Sequence, residues 1–295
     1  MQRTPGADEV RGLGKAGYLG RPHLTDPATD ATVPAMTPEE AELLQQIEAA
    51  YPDLDGWFAR SDGRVEVPQP GSELEEDDKL YPPSPISEVA RLSLTLAVEH
   101  LRMVRIVTDK RQLFSSATFT TLRGALVGAA QGVWILESDD RAVRRARGLT
   151  VVAEELSQLG KYYREGEKYE PGAVPDDQWE WHRQRTAQVA AARGQQQPSL
   201  NQTDMIAAAL DAAFAGGPDK RQSGRLLWRL MSADAHVLGW AVAQRAHLMT
   251  RAAKGESLSV LAAPGTVADL AESFLCAYAL VRRGWMLFDR RCEAA

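Results

Sequence analysis

In the apolar run RLLWRLMSADAHVLGW, residues 225–240, an arginine, a serine, an aspartate and a histidine interrupt an otherwise hydrophobic helical pattern. With one residue every ~100° around a helix axis, Arg225, Arg229, Ser232, His236, Gly239, Ala243 and His247 fall on one narrow stripe. Arg229 and His236 are separated by two helical turns with Ser232 between them, so their side chains reach a common volume. A histidine moves protons near neutral pH. An arginine holds a phosphate or a developing phosphorane through paired N–H donors. Together they suit metal-free RNA cleavage, in which the ribose 2′-hydroxyl is the nucleophile. Arg229 would then stabilise the scissile phosphate, His236 would act as general acid or base, and Ser232 would orient one of them. The competing reading is a polar edge facing water or a neighbouring helix.

Asp234 points almost opposite this stripe, among Leu227, Met231, Leu238 and Ala241. A carboxylate so placed is buried and needs a partner. Arg123 and His100, on other helices, are the available candidates. A structural lock accounts for such a pair more simply than catalysis does.

Arg229, six intervening residues and His236, on a late helix of an all-helical chain, resemble the HEPN superfamily of nucleases and nucleotide-binding domains. The Ser–His arrangement on a penultimate helix is also similar to that of a group of actinobacterial helical proteins. The HEPN resemblance spans residues 84–291. It implies a metal-independent endoribonuclease of toxin or phage-defence type. RNA would be its partner, and a homodimer would bring two motifs into one cleft. Leu230 departs from the pattern, because active members carry a polar residue just after the arginine. The alternative is therefore a non-catalytic helical interaction module, also dimeric, in which the stripe is structural.

Other polar clusters read differently. In WEWHRQR, His182 lies beside Trp179, Trp181, Arg183 and Arg185. Exposed aromatics next to arginine can stack bases, but an amphipathic helix packing its tryptophans explains the same pattern. RAVRRAR, residues 141–147, is a basic patch flanked by Asp139, Asp140, Glu154 and Glu155, as a solvated helix face would be. The histidines are scattered, and no HExxH or CxxC spacing offers a metal site. No cofactor is implied.

The elements that must position these residues follow from composition and periodicity. The chain has 295 residues, 44% hydrophobic and 25% charged, with aromatics at 7%. Alanine, leucine and arginine dominate, a mixture that favours helix over strand. The net charge is −6, which argues against constitutive, sequence-specific binding of duplex DNA. Cys276 and Cys292 fall on one helix, roughly 24 Å apart along it and too far for a bridge. With no disulfide framework and no signal segment, the expected compartment is the cytoplasm. No uninterrupted apolar stretch reaches membrane-spanning length, so no membrane partner is expected.

Residues 1–36 are rich in Gly, Pro, Asp and Thr and read as a flexible N-terminal arm. Residues 37–83 read as one short helix, 37–51, then an acidic, proline-rich connector with a short extended piece around RVEV. Residues 84–295 form the main domain. Helices are expected over 86–107, 115–137, 139–168, 178–194, 203–217, 220–251 and 267–291. In the first of these, Val89, Leu92, Leu96, Val98, Leu101, Val104 and Val107 make one broad apolar stripe. The 115–137 segment is apolar on nearly every side and carries Gly124, Gly128 and Gly132, so it is expected at the centre. The fold class is all-α: an up-and-down bundle of four to five long helices with shorter peripheral ones.

Overall fold

The computed structural model describes residues 37–61, 66–112, 114, 116–194, 199–245 and 266–294. The expected N-terminal arm, residues 1–36, lies outside them, as do the first half of RVEV and His247. The unit from Pro38 onward is all-α, with no strand among the described residues. Its helices are α1 (Pro38–Glu48), α2 (Tyr51–Ala59), α3 (Glu73–Asp78), α4 (Ile86–Asp109), α5 (Ala117–Leu136), α6 (Arg141–Tyr169), α7 (Asp176–Arg193), α8 (Gln202–Ala213), α9 (Pro218–Ala235), α10 (Trp240–Arg245) and α11 (Val267–Cys292).

Side-chain caps start several of them where the sequence offers a short polar residue. The Asp140 carboxylate accepts from the Ala142 N–H to open α6. Asn201 does the same for α8 through Thr203 and Asp204. Thr266 and Asp269 form a reciprocal capping box at α11. Helix α5 is central, packing against α4, α6, α8, α9 and α11. Close approach explains two of its glycines. A Cβ at Gly132 would lie 2.6 Å from Leu94, and one at Gly128 would lie 2.7 Å from the Ser93 carbonyl oxygen. Leu94 of α4 thus enters a slot that only glycine leaves open. The same side chain also meets Gly284 of α11, so one leucine keys three helices together.

Three expectations are corrected. Residues 37–83 are not a single helix plus a connector: α1, α2 and α3 bury Ile47, Leu54 and Leu74 completely. The missed helices, α2 and α3, have 9 and 6 residues and are too short to build up a periodic signal. The apolar stripe of α4 is not one face. Val89, Val98, Leu101 and Val104 enter the core, while Leu92 and Leu96 stay exposed on the opposite side. Finally, the 220–251 helix stops at Ala235.

That stop is a Schellman closure. The Leu238 N–H donates to the Ala233 carbonyl at 2.8 Å and the Val237 N–H to the Asp234 carbonyl at 2.9 Å. Val237 takes the left-handed conformation, φ 57°, that this motif requires. Glycine usually fills that position, and a β-branched side chain there is strained. The sequence places valine rather than glycine at the left-handed position, with Gly239 two residues further on, which hides the stop.

Candidate functional site

The stripe divides where α9 ends. Arg229 lies on the exposed side of the last turns of α9, and His236 is the exposed residue just after its C-terminal end. Neither side chain makes a hydrogen bond or ion pair with another described residue. Gly239 and Ala243 follow the chain reversal, so they no longer extend the stripe. His247 lies outside the described residues.

Ser232 faces a neighbour rather than the two groups it was expected to orient. Its Oγ accepts from Arg123 Nε of α5 at 3.3 Å. The Arg123 guanidinium lies 4.8 Å from the Trp228 ring centre and donates to Gln202 Oε1 of α8 at 3.4 Å. Partial burial pulls its pKa below the ordinary arginine value, but a guanidinium remains charged at any physiological pH. The surface therefore carries one half-buried arginine stacked on a tryptophan, with Arg229 and His236 open beside it. Such an arrangement can attract an anion. Among the described residues, no carboxylate or carbonyl fixes the tautomer and direction of the His236 imidazole, as catalysis would need. Asp234 is buried on the other side of α9, as its angular position requires.

His182 is packed as a core residue. Its Nε2 lies 2.8 Å from the Leu156 carbonyl, and it meets Trp179 and Tyr163 edge-on. Gly160 makes room for it, since a Cβ there would lie 2.8 Å from the imidazole. Trp181 is 46% exposed, with Arg185 5.7 Å from its ring centre.

The basic patch is not simply a solvated face. Arg144 is buried and bonds Asp77 at 2.7 Å, Glu73 at 2.9 Å and the carbonyls of Ser138 and Asp139. Arg291 of α11 is also buried, donating to the Leu136 carbonyl at 2.6 Å, the Ser138 carbonyl at 2.9 Å, Asp139 at 2.8 Å, and Glu73. The Leu136 carbonyl belongs to the last turn of α5, which a helix leaves without internal partners, and those of Ser138 and Asp139 to the link that follows it. Sequence reasoning missed this cluster. A signal was present: Arg144 shares a helix face with Gly148, Val151 and Val152, and Arg291 with Gly284 and Phe288. Beside the cluster, Arg141, Arg145 and Arg193 line an open cavity of about 480 Å³.

Among the described residues, no group of three or more His, Cys, Asp or Glu side chains is placed to hold a metal ion. No described helix is long and apolar enough to cross a membrane. A G-x-G-x-x-G spacing occurs at Gly12, Gly14 and Gly17, outside the described residues. Dinucleotide binding needs that motif between a strand and a helix. Compared with known proteins, the chain matches no family model, no curated protein and no solved structure.

Proposed function

We propose that this chain is a non-catalytic helical interaction module. The observation that carries this reading is the state of Arg229 and His236, both exposed and neither oriented by another described side chain. Catalytic groups require positioning to within a fraction of an ångström, supplied by neighbours that lock their rotamers. Unsupported, Arg229 and His236 offer charge to a partner surface rather than a defined geometry to a substrate. A second feature agrees with it: large apolar side chains along α4 remain uncovered by the rest of the described chain.

A second reading has one observation in its favour. Arg123, Arg229 and His236 put three groups suited to phosphate on neighbouring parts of α5 and α9, with Ser232 bonded to the first. On that reading the protein is a metal-independent endoribonuclease, of the toxin or phage-defence type implied by the HEPN resemblance. Incubation of the purified chain with varied RNAs in EDTA separates the two. The interaction-module reading expects no cleavage above buffer, and no difference from Arg229→Ala or His236→Ala. Cleavage that disappears in both variants, with helicity unchanged, would overturn it in favour of the nuclease.

A further inference from the structure

On α4, the side turned away from the core carries Leu92, Leu96, Glu99, Met103, Ile106 and Lys110. Their spacing is four, three, four, three, four. That is the alternation of core positions in a heptad, the pattern of a helix that packs along another helix. The apolar members are open: Leu92 48%, Leu96 46%, Met103 52% and Ile106 58% exposed. Large apolar side chains repeated at a heptad interval on a solvent face mark an interaction surface rather than scattered exposure. The seam runs about 27 Å along α4. Beside it, a hollow of about 720 Å³, lined by Phe58, Met103 and Ile106 together with charged side chains such as Arg102 and Asp109, gives a facing side chain room to enter.

Charge selects the occupant. Glu88, exposed one turn before Leu92, and Lys110, exposed at the far end, lie on this same face. A parallel copy would put Glu88 on Glu88 and Lys110 on Lys110, whereas Glu99 meets its own counterpart in either orientation. An antiparallel copy brings the Glu88 end of each seam to the Lys110 end of the other, at both ends by symmetry. A face that is complementary to itself when reversed is the requirement of a two-fold, isologous interface. We infer that a second copy of this chain docks antiparallel on the α4 seam, forming a two-helix contact around a two-fold axis near Glu99. This inference rests on the interaction-module reading and names its partner.

The test is sedimentation equilibrium of the full chain over a wide concentration range. A monomer–dimer equilibrium is expected. Leu96→Asp and Met103→Asp alter exposed side chains, so helicity is retained while the dimer dissociation constant rises at least tenfold. Glu88→Lys and Lys110→Glu each weaken the dimer several-fold, and the double reversal restores it. A monomer at every concentration overturns the inference, as does a dimer indifferent to Leu96 and Met103. Shielding of Met103 from oxidation in a concentration-independent monomer also overturns it, since the chain's own remaining residues would then cover the seam. None of these outcomes depends on RNA cleavage, so failure of the dimer and failure of the non-catalytic reading are told apart.

Discussion

Two sets of polar residues are built into apolar helices of this protein, and the molecule treats them in opposite ways. Around Arg144 and Arg291, both buried, the donors meet carboxylates of α3 and of Asp139, and main-chain carbonyls from the end of α5 and the link to α6. Around Arg229 and His236, both exposed, no described side chain answers. The first cluster is answered from within and therefore structural: the buried Asp77, Arg144 and Arg291 each meet an opposite charge. The second is available but not oriented. Residue type alone does not distinguish a lock from a binding surface. The supply of partners does, and those partners come from elements far apart in sequence.

The largest expected effect lies at the first cluster. Asp77→Leu or Arg144→Met leaves the other buried charge without its closest partner, and each should destabilise the fold by about 3–5 kcal/mol in urea unfolding. Combined as Asp77→Leu with Arg144→Met, the losses should fall short of additivity by roughly 0.5–3 kcal/mol, because neither charge then remains alone. Additive losses would mean that the two residues act separately.

A smaller effect separates the regions at the end of α9. Val237 is 89% exposed, so replacing it forfeits almost no packing. Val237→Gly relieves the left-handed strain of about 1–2 kcal/mol against a glycine entropy cost of roughly 0.5–1 kcal/mol. A small gain in thermal stability is expected, and a loss would show that the reversal is held by the valine side chain.

Acid should touch the two regions differently. Arg291, hydrogen-bonded to Asp139, and Arg290 nearby hold the Asp139 carboxyl below the usual carboxylate range. A depressed folded-state pKa stabilises the protein above the unfolded value, about 3.9, and that contribution fades as pH falls through the folded value. The melting-temperature gap between wild type and Asp139→Asn should therefore be present at neutral pH and close below about pH 4. A gap that persists in acid would assign the effect to packing instead. Least of all, Arg229→Ala and His236→Ala should each change stability by no more than about 0.5 kcal/mol. A larger loss from either would mean that the exposed pair has a structural partner after all.

Periodicity and caps alone place α4, α5, α6, α7 and α11 close to their observed limits, with Thr266, Asp140 and Gly194 marking ends. They place the glycine-rich α5 at the centre, and they bury Asp234. The all-α class follows for the same reason: helix signals are local, written in residues three and four apart and in the polar side chain just before the first turn. The candidate triad was legible as residue types but not as a site. Its helix ends at Ala235, one residue before His236, through a reversal built on Val237, and Ser232 turns to Arg123, 109 residues away. The two faces of α4 were also merged, because Leu92 and Val89 look alike until α5 and α11 cover one side and leave the other. Which apolar stripe is core, and which arginine is satisfied, depends on what packs opposite, and only the tertiary structure supplies that.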